Sequence, residues 1–183
     1  MTQRALIILH PGFEEMEAVA PIDLLSRAGV EVTQASTSDS LLLRGRSGIT
    51  LQATHRLADA ATEDYDVIIL PGGPGIMQLR DDSRIVECLQ RHHQAGKLIA
   101  CICAAPLLLL DAGMIQNIAY TAHPSTVNEL SAASQEAVVS NNTIITSRGA
   151  GTATEFALAI VQHLCGQDRA NEIAESICWS HTF

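Results

Sequence analysis

Short apolar runs, each ending at a turn-forming residue and each followed by a stretch with helical spacing, constrain this chain more than any other feature. Residues 5–10 (ALIILH) read as a buried strand, and Gly12 permits a tight turn after it. Residues 14–27 then carry Met16, Val19, Ile22, Leu24 and Leu25 on one apolar helical face, and Gly29 stops the helix. Residues 30–35 predict a second strand. Residues 41–43 and 49–52 predict a hairpin off the main sheet, around residues 44–48. The run DVIIL at 66–70 predicts a strand leading straight into Pro71-Gly72-Gly73. Ser83 reads as the cap of a helix to about residue 95, closed by Gly96. A strand at 97–101 and a helix at 104–112 follow, then a weak strand at Tyr120 and Thr121. The rest reads as a strand at 143–146, a turn at 149–151, an apolar helix at 152–164 and a last helix at 167–178.

Strand alternating with helix predicts an α/β domain with a parallel sheet covered on both faces. Such strands are buried on both sides, so they need continuous apolar runs rather than alternation. The composition agrees: 47% of the residues are hydrophobic and only 3% aromatic. The 183 residues suit one domain spanning 1–183. A chain of this length can bury about 70% of its unfolded surface without a staple. Ligand sites in open α/β sheets lie beyond the carboxyl ends of the strands. Three such ends carry unusual residues: the acidic 14–17, the Pro-Gly-Gly at 71–73, and Cys103.

Charge and composition exclude several functions. The formal net charge is -9, which argues against a nucleic-acid partner because binding that backbone needs clustered cations. The longest uninterrupted apolar run, residues 98–110, is too short to span a membrane. No signal pattern opens the sequence, so the expectation is a cytoplasmic protein. Its five cysteines, an odd number, are then expected to be reduced thiols. Cys101 and Cys103 would share a face if both lay on a strand, but their spacing is not that of a metal site. No metal and no cofactor is expected.

Residues 98–110 hold the clearest candidate for chemistry. An apolar strand runs into Cys103, then Ala104 and Ala105, then a proline and a leucine-rich helix. Small neighbours permit the sharp turn that lifts a nucleophile above a sheet. A helix N-terminus beside the sulfur would lower its pKa. The same segment also reads as a buried small hydrophobe, the common fate of a free cysteine. Glu17 sits near the start of a helix, either aimed at the site or complementing the helix dipole beside Glu14 and Glu15. Gly72 and Gly73 leave backbone N–H groups free to hold an oxyanion, although Pro-Gly-Gly alone signals only a turn. His123 lies in a loop before Pro124 and could move a proton; His10, His55, His92, His93, His163 and His181 show how weak that signal is.

Several segments together resemble the ThiJ/PfpI superfamily, in the branch of the Parkinson-associated deglycase and its bacterial relatives. They are PGFEEME at 11–17, PIDL at 21–24, RAG at 27–29, YDVIILPGG at 65–73, ICAAP at 102–106, TSRGAGT at 146–152 and EFALAI at 155–160. The resemblance implies a flavodoxin-like three-layer sandwich with a mostly parallel central sheet, and a homodimer with Asp23 near its interface. It implies Cys103 as the essential cysteine, Glu17 as its partner and His123 as the site histidine. Oxyanion-type amides would come from Gly73 and Ala104. Arg27 and Arg46 would line the pocket, the second from the neighbouring subunit. The protease-named branch has a histidine directly after its cysteine; Ala104 stands there, so a Cys-His dyad for peptide hydrolysis is not supported.

Two functions follow as expectations. The first is a cysteine-dependent glyoxalase or deglycase acting on methylglyoxal, glyoxal or their early glycation adducts. The second is an oxidative-stress sensor or redox-regulated chaperone working through oxidation of Cys103, with Cys101 as a conceivable resolving thiol. A thiazole-pathway or peptidase role ranks last, since no phosphate-binding loop of the G-x-x-x-x-G-K type is present.

Overall fold

The computed structural model describes residues 2–180, so His181 lies outside the described residues. The chain runs β1 (Arg4–Leu9), α1 (Glu15–Ala28), β2 (Glu31–Ser36), β3 (Leu42–Arg44), β4 (Thr50–Gln52), β5 (His55–Arg56) and α2 (Leu57–Ala60). It continues through β6 (Val67–Leu70), α3 (Ile76–Leu79), α4 (Ser83–Gln94), β7 (Leu98–Ile102) and α5 (Pro106–Asp111). The last elements are β8 (Val138–Asn141), β9 (Ile144–Ser147), α6 (Ala153–Cys165) and α7 (Gln167–Ser176).

Seven strands form the central sheet in the order β5-β2-β1-β6-β7-β9-β8. All pair in parallel except β8, which runs antiparallel to β9. The predicted hairpin is present as β3 and β4, a separate two-stranded sheet. Alternate residues of the inner strands feed two cores. Leu6, Ile8, Ile68, Leu70, Ile99 and Cys101 face α2 to α5, whereas Ile7, Leu9, Ile69, Ala100 and Ile102 face α1, α6 and α7. This is the flavodoxin-like three-layer α/β sandwich.

Local departures from the sequence reading have physical causes. The cap of α4 is Asp82 rather than Ser83; its carboxylate accepts from the Arg84 N–H at 3.1 Å. Helix α5 begins at Pro106 instead of residue 104, because Cys103 to Ala105 are spent on the turn above the sheet. Tyr120 and Thr121 make only an isolated bridge, from Thr121 to Ser134. On α1 the expected apolar face splits: Leu24 and Leu25 are buried, but Met16 and Val19 are 58% and 44% exposed. Among the described residues no helix is long and apolar enough to cross a membrane.

Candidate functional site

Strand β7 delivers Cys103 to the carboxyl edge of the sheet, where its φ of +66° places a non-glycine residue in the left-handed region. That conformation costs roughly 1–3 kcal/mol and persists only where the surroundings impose it. Here both flanking peptide groups are tied down. The Cys103 N–H donates to the Ser147 carbonyl at 2.9 Å, and the Cys103 carbonyl accepts from the His123 N–H at 2.8 Å. The positive φ also redirects the side chain. Cys101 is wholly buried in the core beneath α2 to α5, whereas Cys103 packs against the opposite core. The two thiols therefore do not share a face, which removes the geometric basis for Cys101 as a resolving cysteine.

Glu17 reaches Cys103 from the first turn of α1. Glu14 caps that helix by accepting from the Glu17 N–H at 2.9 Å, which fixes where the Glu17 side chain starts. Glu17 is fully buried, and its Oε2 accepts from the Gly72 N–H at 2.8 Å. Oε1 is buried with no hydrogen-bond partner placed on it. Burial pushes this carboxyl up to about 7, against the pull of the Gly72 amide and of Cys103.

Burial also pushes the Cys103 thiol up to about 12, and a charged Glu17 adds to the push; the amides of Ala104 and Gly73 pull the other way. This direction opposes the sequence expectation of a lowered pKa. Helix α5 is only six residues long, and loss of water outweighs the pull of the two amides. The pair is best described as sharing a proton. A proton on Glu17 would remove the repulsion that its charge adds at the sulfur and would let the carboxyl donate to a thiolate.

A cavity of about 420 Å³ opens over the sulfur, lined by Arg46, Gly73, Met77, Cys103, Ala104 and His123 among others. His123 is placed by its own loop. Its Nδ1 accepts from the Ser125 N–H at 3.2 Å and lies 2.8 Å from the Ser125 hydroxyl. A neutral ring held this way carries its proton on Nε2, as a donor. Arg46, on the β3–β4 turn, reaches the cavity of its own chain. That turn is anchored by Arg46 N–H to the Phe13 carbonyl at 2.9 Å and by Ser47 N–H to Glu15 Oε1 at 2.7 Å.

The predicted set is thus brought together except for one member. Cys103, Glu17, Gly72, Gly73, Ala104, His123 and Arg46 converge, but Arg27 lies on the exposed side of α1 and pairs with Asp23 at 2.9 Å. Sequence reasoning gave Ser147 no role and read Glu15 only as a helix-start carboxylate, whereas they hold the cysteine turn and the Arg46 turn. Their partners are distant in sequence, and no local pattern announces them.

Comparison with known proteins identifies relatives of the chain. The DJ-1/PfpI family profile matches residues 3–163. The Drosophila melanogaster protein dj-1beta is 37% identical over 182 residues, covering 97% of each chain. The Caenorhabditis elegans glutathione-independent glyoxalase DJR-1.2 is 34% identical over 179 residues, covering 95% of each. The crystal structure of Drosophila DJ-1beta superposes with a TM-score of 0.94 at 35% identity, covering 99% of this chain and all of that one. An oxidized Toxoplasma gondii DJ-1 gives 0.94 at 34% identity, covering 98% and 100%.

Proposed function

Since the chain belongs to the DJ-1/PfpI family, we propose that it is a cysteine-dependent glyoxalase that converts small 2-oxoaldehydes such as methylglyoxal to 2-hydroxy acids. One observation carries the reading: a fully buried carboxyl, raised to about 7, lies against a strained, partly exposed cysteine. A proton held there can be given and taken back near neutral pH. The glyoxalase named among the relatives supports the same choice of chemistry.

In the proposed reaction Glu17 takes the Cys103 proton as the sulfur adds to the aldehyde carbon, and the new alkoxide takes that proton back from Glu17. The N–H groups of Gly73 and Ala104 face the sulfur and can hold the charge that develops beside it. Glu17, now a carboxylate, removes the hydrogen from the former aldehyde carbon, and His123 Nε2–H donates to the adjacent ketone oxygen. The resulting enediol collapses to a 2-hydroxyacyl thioester when a proton returns to the second carbon. Water then releases the hydroxy acid and restores the thiol. An early glycation adduct carrying the same carbon framework would extend the activity to deglycation.

Glu17→Gln tests the proton role. Glutamine keeps the shape and the Gly72 hydrogen bond but cannot shuttle a proton, so lactate formation from methylglyoxal should fall by about 10²-fold or more. The same variant has a stability signature. Native Glu17 binds its proton more tightly than the unfolded chain does, with its value raised from 4.5 to about 7. Its contribution to stability therefore declines as pH rises from 4.5 to 7 and stays low above that. Glu17→Gln removes this decline, so its stability relative to wild type should rise by on the order of 3 kcal/mol between pH 4.5 and pH 8 in urea titrations. Activity falling without that pH-dependent gain would mean the carboxyl is not held protonated.

We extend the proposal to a homodimer. Met16 and Val19 on α1 are exposed, as are Leu42 (62%) and Ile49 (56%) on the adjoining hairpin. Glu15 and Phe13 bind the hairpin turn, which ties the hairpin to the start of α1. Apolar exposure of this kind marks an association surface. Light scattering on the purified protein should give twice the mass of 19.5 kDa, and Met16→Lys combined with Ile49→Lys should shift it to the single-chain value.

A further inference from the structure

Arg80 stands at the end of α3, outside the group of residues that meets Cys103, yet three segments that shape the site converge on it. Helix α3 follows the Gly72-Gly73 amides. Asp111 ends α5, the helix that follows Cys103. Glu129 follows the short turn that starts at His123 and also lines the cavity over the sulfur. The guanidinium donates from Nε to Asp111 Oδ2 at 2.8 Å and from Nη2 to Asp111 Oδ1 at 2.6 Å. It donates from Nη1 to Glu129 Oε1 at 2.8 Å, with Nη2 2.8 Å from Oε2. Its side chain is 20% exposed, so these contacts are better shielded than an ordinary surface pair. A planar fork satisfying two carboxylates at once is a task for arginine rather than lysine.

We propose that Arg80 is a positioning residue for the Cys103 pocket, tying the wall formed by residues 123–130 to α5 and neutralising the Glu129 carboxylate at the pocket's edge. Without it, Asp111 and Glu129 would repel each other and the His123 wall would lose its tether. A free carboxylate would then join Glu17, His123 and Arg46 as a charged or titratable group around the sulfur. The inference rests on Cys103 being the reacting group, but not on which aldehyde it takes.

Alkylation tests it directly, independently of turnover. Iodoacetamide and iodoacetate react with a thiolate in the same way but differ by one negative charge. Rates are read by mass on the Cys103 peptide, because Cys165 and Cys178 are also accessible. Arg80→Ala should lower the iodoacetate-to-iodoacetamide rate ratio at Cys103 by about fivefold, since one uncompensated charge now faces the anion. Arg80→Lys should give a smaller fall, and Arg80→Ala with Glu129→Gln should return the ratio to the wild-type value. General loosening would change both rates together and leave the ratio alone. An unchanged ratio in Arg80→Ala overturns the proposal, as does a ratio that Glu129→Gln does not restore. Where Arg80→Ala cannot be purified folded, an unchanged ratio in Arg80→Lys does the same. Loss of aldehyde turnover alone, with the ratio shifted as expected, would count against the glyoxalase reading and not against this one.

Discussion

Gly72→Ala should nearly abolish the reactivity of Cys103 and destabilise the protein. A Cβ at this position would lie 2.6 Å from Cys103 Cβ, 2.8 Å from Glu17 Oε2 and 2.9 Å from the Ile102 carbonyl. Ordinary contacts exceed these distances, and the only one of the three atoms that ends a flexible side chain, Glu17 Oε2, is buried and held by the Gly72 N–H. The Ile102 carbonyl belongs to β7, which is hydrogen-bonded between β6 and β9. The strand cannot retreat without disturbing the sheet. The Cys103 turn or the Glu17 carboxyl must then shift, and the Gly72 N–H that holds Glu17 shifts with them. Overpacking of this kind costs about 1–3 kcal/mol. A displacement of about 1 Å between reacting groups is worth about 10²-fold in rate. Gly151→Ala is the control, because nothing lies within 4 Å of its Cβ and its φ is not in the left-handed region. Urea titration and methylglyoxal turnover on both variants should show a loss at 72 and none at 151.

That prediction draws on a contact no sequence pattern displays, which marks the boundary of what was legible. The parallel sheet could be read because β1, β6 and β7 are buried on both faces and so appear as unbroken apolar runs. Strand β8 escaped because it is an edge strand of intermediate burial, and β5 because it has only two residues. The site was legible where chemistry sits at strand ends, as with Cys103 and the glycines after β6. Three things were not. The direction of the Cys103 pKa depends on how much water the fold removes. The separation of Cys101 from Cys103 depends on one left-handed residue at the end of a strand. Arg27 does not line the cavity of its own chain, because it lies on the outer side of α1, where it pairs with Asp23.

Cys103→Ala should have the largest effect on activity with little effect on the fold. In the proposed mechanism the sulfur forms the covalent adduct with the aldehyde, so its removal would leave Glu17 and His123 with nothing to act on. A nucleophile that acts as part of a unit accounts for most of that unit's rate, and losses beyond about 10³-fold are expected. Stability should stay within about 1 kcal/mol or improve. Alanine removes little volume from a partly exposed position, and it no longer holds an ionisable sulfur against Glu17. Cys101→Ala serves as the comparison. Cys101 is wholly buried and faces the other core, so its loss should lower stability through packing while leaving turnover per folded molecule close to wild type.

The most direct test of the account is the initial rate of lactate formation from methylglyoxal, measured on wild type, Cys103→Ala and Cys101→Ala at equal concentration of folded protein. Lactate from wild type and Cys101→Ala, with at least a 10³-fold loss in Cys103→Ala, is the predicted result. Equal rates in wild type and Cys103→Ala, or no lactate from wild type, would contradict it.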